Sequence, residues 1–199
     1  IQISPSTVGS ASRMNYDLEM ESLRTADAEI QEIMTDDEDE FIAAAREADA
    51  IYSHRTFLSA RAIESLEKCK VIATGSVGVD KIDVGAATKA GIPVANVPDT
   101  FIEEVADHAM TLILAIYRRV TLMDQMARDE RWPQGRGVLY TFPRLFGMTL
   151  GLISFGNISK AVAFRAAPFG LRIIAHDPYL SELAMTKAGV EPVGLVELL

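Results

Sequence analysis

The stretch Leu150-Gly151-Leu152-Ile153-Ser154-Phe155-Gly156-Asn157-Ile158-Ser159 decides how this 199-residue chain reads. An apolar, strand-like run ends on Ser154, and Gly156 follows two positions on. A helical pattern begins at once. That is a strand, a tight turn and a helix start. The next apolar run, Leu171–His176, ends on Asp177, which lies 21 residues after Gly156. A carboxylate at the end of the second strand, in register with the first turn, is the layout of a dinucleotide-binding unit. The first N–H groups of a helix lack intrahelical acceptors, and the helix dipole favours anions there. A pyrophosphate would rest on them. Asp177 would accept hydrogen bonds from the adenosine ribose hydroxyls. Its charge repels a 2′-phosphate, so NAD is expected rather than NADP. The usual G-x-G-x-x-G reads here Ser154-x-Gly156-x-x-Ser159. The glycine that lets backbone approach phosphate is present. Ser154 stands where the turn wants glycine, and its Cβ costs about 1 kcal/mol if its φ is positive. The bland alternative is an ordinary strand-to-helix turn that binds nothing.

Outward from this motif, short apolar runs alternate with helical patterns, which predicts βαβ units and parallel sheets. Toward the N-terminus, strands are expected at Ile1–Ser4, Glu29–Met34, Ala50–Ser53, Val71–Thr74 and Pro93–Val97. Helices are expected at Tyr16–Arg24, Ser59–Leu66 and Val84–Ala90, the last stopped by Gly91. Thr35-x-x-Glu38 and Thr100-x-x-Glu103 read as capping boxes. The second opens a long helix with Ile102, Val105, Ala106, Ala109, Met110, Ile113, Leu114 and Tyr117 at i, i+3, i+4 spacing. Arg131–Phe146 carries Pro133, Gly135, Gly137, Pro143 and Trp132, and reads as an irregular excursion. After the motif come a helix to Phe169 ended by Gly170, the strand Leu171–His176, a helix Ser181–Ala188 ended by Gly189, and a short strand Val190–Val193. There are no repeats and no low-complexity tracts.

Composition narrows the function classes. The chain is 49% hydrophobic and 24% charged, within the band of globular domains. Its net charge of −9 argues against nucleic acid or an anionic membrane as direct partner, because both need a basic footprint. The single cysteine, Cys69, allows no internal disulfide and no CxxC metal site, which suits a reducing, cytoplasmic setting. No apolar run reaches membrane-spanning length. No signal peptide shows at Ile1-Gln2-Ile3-Ser4. Both ends read as cut, so a partial chain is expected.

The residues also carry a family resemblance. Lys70–Asp83 with Gly91-Ile92-Pro93-Val94, then Glu103-Glu104-Val105-Ala106-Asp107-His108-Ala109, resembles the D-isomer-specific 2-hydroxyacid dehydrogenases. Gly151–Ser159 and Ala166–Leu180 continue it in order, from about residue 48 onward. Asn96-Val97-Pro98, Tyr117-Arg118-Arg119 and Asp177-Pro178-Tyr179-Leu180 are similar to the C-terminal-binding-protein branch, with phosphoglycerate dehydrogenase as the other close relative. The resemblance implies an α/β protein with a flavodoxin-like substrate lobe and an inserted Rossmann lobe that binds NAD, both incomplete here. Residues 1–98 would be the N-terminal part of the substrate domain, and 99–199 the first half of the Rossmann domain.

It also implies roles. Backbone N–H groups at Ser76, Val77 and Gly78 would hold the substrate carboxylate. Read from its place at a strand end facing the expected cleft, Ser53-His54-Arg55 is a further substrate contact, with a solvated loop as the alternative. Val77 would meet the nicotinamide end. Ser154, Phe155, Gly156, Asn157, Ile158, Ser159 and Asp177 would line the rest of the cofactor, with Asn157 where the family usually has Arg. The family's catalytic Arg, Glu and His would lie beyond Leu199, so no catalytic residue and no metal site is expected in this chain. His108 matches a histidine within the family's long helix, expected to pack or to make a hydrogen bond near the lobe interface, and His176 reads as a partly buried filler. The expected activity is NAD-dependent oxidation of a D-2-hydroxyacid or reduction of the 2-oxoacid. A homodimer through the long helix and the excursion is expected. An NAD(H)-sensing, corepressor-like module and an inactive partial gene product are the alternatives.

Overall fold

The computed structural model describes residues 2–3, 16–54 and 56–199. The chain divides into two compact units, Ile1–Thr100 and Phe101–Leu199. It is an α/β protein, and among the described residues every strand pairing is parallel.

The first unit runs β1 (Gln2–Ile3), α1 (Asp17–Leu23), β2 (Ile33–Met34), α2 (Glu38–Ala45), β3 (Ala50–His54), α3 (Ala60–Glu64), β4 (Val71–Thr74), α4 (Val84–Lys89) and β5 (Val94–Ala95). Its five strands lie in the order β2-β1-β3-β4-β5, the flavodoxin-like arrangement. Phe41, Ile51, Leu58, Ile63, Ile72 and Ala87 centre its core. β3 and β4 pair Ile51 with Ile72 and Ser53 with Thr74. Side chains alternate along a strand, so Ile51 and Ser53 share a face, as do Ile72 and Thr74. An apolar core position is thus followed, at the C-terminal edge of each strand, by a buried hydroxyl. That edge is where open α/β sheets take their ligands.

The second unit runs α5 (Ile102–Tyr117), α6 (Val120–Arg128), α7 (Trp132–Leu139), β6 (Thr149–Ile153), α8 (Asn157–Ala166), β7 (Arg172–His176), α9 (Glu182–Lys187), β8 (Glu191–Pro192) and α10 (Leu195–Leu198). Its three strands lie in the order β6-β7-β8, one βαβαβ half of a Rossmann sheet. Ile173, Ile174 and Ala175 of the central strand are all buried, the continuous apolar run of a strand covered on both faces. α5 covers α8, and Arg165 of α8 bonds Glu103 and, at 2.6 Å, Asp107 of α5.

Four expectations need correction. Thr35 is not the cap of α2. Asp37 is, taking the N–H groups of Asp39 and Glu40 at 2.8 and 3.1 Å. Thr35 is buried and donates to Glu40 instead, and a carboxylate gains more than a hydroxyl from the helix dipole. No capping box opens α5: its N-cap is Phe101, without a side-chain cap, and Glu103 is drawn to Arg165. The strand expected over Glu29–Met34 is confined to Ile33–Met34. Arg131–Phe146 is not irregular throughout. Pro133 sits in the first turn of α7, where its missing N–H has no partner to lose. Gly135 lies against Met123 of α6, where a Cβ would come within 2.7 Å of the methionine methyl.

Candidate functional site

The second unit holds the motif that decides the fold. β6 leads into Ser154, whose N–H donates to His176 O at 2.7 Å and so extends the sheet by one residue. Phe155 turns inward and is fully buried in the core. Gly156 is the N-cap of α8, with φ −73 and ψ −166, and no side chain caps the helix. The N–H groups at the start of α8 are thus aimed outward. A Cβ on Gly156 would meet no protein atom within 4 Å. Neither backbone strain nor protein packing requires a glycine there. The open space in front of an uncapped helix start fits a phosphate group.

Ser154 is the opposite case. Its φ is +75, in the left-handed region where glycine is at ease and serine is strained. Asp177 compensates. Its Oδ2 accepts the Phe155 N–H at 2.8 Å and the Ser154 hydroxyl at 3.3 Å. Its Oδ1 accepts the N–H groups of Tyr179 at 2.8 Å and Leu180 at 3.1 Å. These bonds, Phe155 first and then Tyr179, hold the carboxyl below the usual aspartate range. A carboxylate offers about four acceptor sites, so a ribose hydroxyl must compete with the long Ser154 bond. Ser154→Gly relieves the strain and frees that site. We expect it to raise the melting temperature by about 2–4 °C, against a strain of about 1 kcal/mol. With Ser159→Gly added, NADH affinity should rise about fivefold. Thermal unfolding and fluorescence titration of the full-length protein check both. Asn157, Ile158 and Ser159 form the first turn of α8, with Asn157 and Ile158 exposed.

The first unit holds a separate loop, Gly75-Ser76-Val77-Gly78-Val79-Asp80, directly after β4. Four of its carbonyls are occupied. Val97 N–H donates to Ser76 O at 3.2 Å, Asn96 Nδ2 to Val77 O at 2.7 Å, and Ser76 Oγ to Gly78 O at 2.6 Å. Ile82 N–H takes Val79 O at 2.9 Å. With the carbonyls turned to these donors, the N–H groups of Val77 and Gly78 have no protein acceptor among the described residues. Successive free N–H groups make an anion seat. Both glycines lie close under neighbouring side chains. A Cβ at Gly75 would come within 2.4 Å of the Tyr52 hydroxyl, and one at Gly78 within 2.6 Å of an Asp80 carboxylate oxygen.

Beneath the loop lies a cavity of about 130 Å³ lined by Ser53, Thr56, Thr74, Ser76, Asp80 and Lys81, among others. Leu58 N–H to Lys81 O at 2.8 Å and Asp83 N–H to Leu58 O at 3.0 Å lash its two rims together. Ser53 and Thr74 are buried. Sequence reasoning pointed to Ser76, Val77 and Gly78 and missed Thr74 and Thr56. The signal was a polar residue in the buried phase of an apolar strand, at Ser53 and again at Thr74. The His54 side chain and Arg55 lie outside the described residues. His108 is exposed on α5. His176 is half-buried, with Nδ1 3.1 Å from Val193 O. Among the described residues no cluster of His, Cys, Asp or Glu could hold a metal ion, and no helix is long and apolar enough to cross a membrane.

The sequence profile of the D-isomer specific 2-hydroxyacid dehydrogenase catalytic domain matches residues 12–195. D-3-phosphoglycerate dehydrogenase of Mycobacterium tuberculosis is 35% identical over 164 residues, covering 82% of this chain and 30% of that protein. Glyoxylate reductase of Korarchaeum cryptofilum is 37% identical over 160 residues, covering 79% of this chain and 48% of that protein. Among solved structures, D-lactate dehydrogenase of Aquifex aeolicus, complexed with NAD and lactic acid, superposes with a TM-score of 0.74 at 25% identity. That match covers 92% of this chain and 54% of that one. The chain therefore spans between about a quarter and a half of the length of the curated relatives it matches.

Proposed function

This chain belongs to the D-isomer specific 2-hydroxyacid dehydrogenase family, and from that premise we propose that the full-length protein is an NAD-dependent oxidoreductase acting on the CH–OH group of a D-2-hydroxyacid. The observation that carries the cofactor assignment is the uncapped start of α8, with open space at Gly156 and the Asp177 carboxylate beside it. Bound NAD would supply hydride acceptance, and NADH hydride donation. The chain's own residues bind and orient. The N–H groups of Ile158 and its neighbours in the first turn take the pyrophosphate. Ser154, Phe155, Asn157 and Ser159 shape the turn around it. Asp177 takes the adenosine ribose and repels a 2′-phosphate. Val77 and Gly78 N–H groups take the substrate carboxylate, with Ser76 holding the loop shape. Val77 is also the residue proposed to meet the nicotinamide end, and His54 the substrate.

In this reading residues 1–98 are the N-terminal part of the substrate domain and 99–199 the first half of the NAD-binding domain. The partner is a small 2-hydroxy or 2-oxo acid, with no nucleic acid, and the setting is cytoplasmic. The full-length protein with NADH and a panel of small 2-oxoacids should show loss of the reduced-nicotinamide absorbance. NADH binding without turnover of any acid would favour a sensing module instead.

A homodimer built on α5 and the segment after it is part of the same proposal. Leu112, Ile116, Val120, Leu122, Trp132 and Tyr140 are exposed on these helices, apolar surface that supports the reading. Sedimentation at micromolar concentration should give twice the protomer mass. The protomer mass alone would contradict the dimer.

A further inference from the structure

We infer that Asn96 is a positioning residue for the carboxylate seat: its side-chain amide aims the Gly78 N–H at the substrate by holding the other end of the same peptide, the Val77 carbonyl. The inference rests on the dehydrogenase reading and deepens it at the loop after β4.

A trans peptide is flat, and its C=O and N–H point in opposite directions. Whatever fixes the carbonyl of one residue therefore aims the N–H of the next. Asn96 Nδ2 donates to Val77 O at 2.7 Å. The peptide joining Val77 to Gly78 thus turns its oxygen toward Asn96 and its N–H away. Val97 N–H donates to Ser76 O at 3.2 Å and turns the Val77 N–H away in the same manner. Residues 96 and 97 between them set the two successive peptides that carry the two N–H groups of the seat. Val97 acts through its backbone, which most residues could supply. Asn96 acts through its side chain, so the choice of residue matters there.

The sheet brings these residues together. β4 and β5 run parallel, with Ile72 beside Val94 and Ala73 beside Ala95. Both chains continue past their strands in the same direction, so residues 96 and 97 arrive alongside the loop that follows Thr74. Asparagine suits the task because its short side chain ends in two N–H donors. An ionised aspartate of the same shape has only acceptors, which the Val77 oxygen would repel. Asn96 is exposed, so a smaller residue admits water to the Val77 oxygen, and water restores part of the bond. Leucine has nearly the shape of asparagine. It keeps water off and leaves that oxygen without its donor. Loss of bulk and loss of the donor are therefore separable by substitution.

The test measures KM, kcat and NADH affinity on the full-length protein, with whichever of glyoxylate, pyruvate and hydroxypyruvate it reduces fastest. The seat holds the carboxylate before and during hydride transfer, so its loss shows in KM more than in kcat. Asn96→Leu should raise KM about tenfold and Asn96→Ala about threefold, with kcat and NADH affinity within about twofold of the parent. KM for a second of these acids should rise by the same factor, because the carboxylate is common to both. An unchanged KM in Asn96→Leu, an alanine effect as large as that of leucine, or NADH affinity falling in step with KM overturns the proposal. If a melt shows that Asn96→Leu does not fold, Asn96→Ala decides alone, a rise of about threefold supporting the inference and no rise overturning it. If none of the three acids oxidises NADH, the dehydrogenase reading fails separately. Calorimetric titration with oxalate then reads the seat itself. Binding about tenfold weaker to Asn96→Leu than to the parent supports the inference, and equal or absent binding overturns it.

Discussion

Replacing Gly156 with valine is expected to lower NADH affinity at least a hundredfold while leaving the fold in place. Gly156 has φ −73 and ψ −166, extended backbone that valine adopts without strain. A Cβ there meets no protein atom within 4 Å, so no packing is disturbed. Valine is a poorer N-cap than glycine, a cost of about 1 kcal/mol, or about 2–4 °C of melting temperature. The same bulk would fill the space in front of the α8 N–H groups. A hundredfold loss corresponds to about 2.7 kcal/mol of binding free energy. Titration with NADH, alongside a melt of the same variant, separates the two effects. Binding within threefold of the parent would mean that the open space at Gly156 is not a phosphate seat.

Asp177→Ala should do more than remove a ribose acceptor. Its carboxylate ties the N–H groups of Phe155, Tyr179 and Leu180 together, so the variant also loosens the turn. We expect NADH affinity to fall about thirtyfold, and NADPH affinity only a fewfold, because the repulsion of a 2′-phosphate disappears with the charge. The ratio of the two affinities is the informative readout, since loosening the turn affects both cofactors. The pH dependence has a definite sign. The Asp177 carboxyl is held below its ordinary value, chiefly by the Phe155 and Tyr179 N–H groups. A depressed pKa favours the ionised form in the folded state. The contribution of Asp177 is therefore complete above the ordinary aspartate range and is lost only as pH falls through the lowered value. The contribution of Asp177 to NADH affinity should be flat from about pH 6 to pH 8.

Much of this arrangement is legible in the sequence, for identifiable reasons. Strand Val71–Thr74 is bounded by charged residues on one side and glycine on the other, and it forms over those four residues. Gly91, Gly170 and Gly189 each follow a helical run, and each takes the positive φ of a helix C-terminus. Ser154 was suspect because the turn geometry wants glycine, and its φ is indeed positive. What was not legible depends on tertiary partners. Thr35 and Thr100 satisfy the capping pattern, yet the caps fall on Asp37 and Phe101. A buried Thr35 and the pull of Arg165 on Glu103 decide those ends. α7 carries a proline and two glycines, and it is helical because Pro133 occupies the first turn and Gly135 packs on Met123. Thr74 sits in the buried phase of its strand, yet a single hydroxyl there does not stand out on its own. Only its pairing with Ser53 across the sheet places both at one cavity.

The most direct test of the cofactor site is calorimetric titration of the full-length protein with NADH and, separately, NADPH. The account predicts one NADH per chain with micromolar or tighter affinity, and NADPH weaker by about tenfold or more. No binding of NADH, or NADPH bound as tightly, would contradict it.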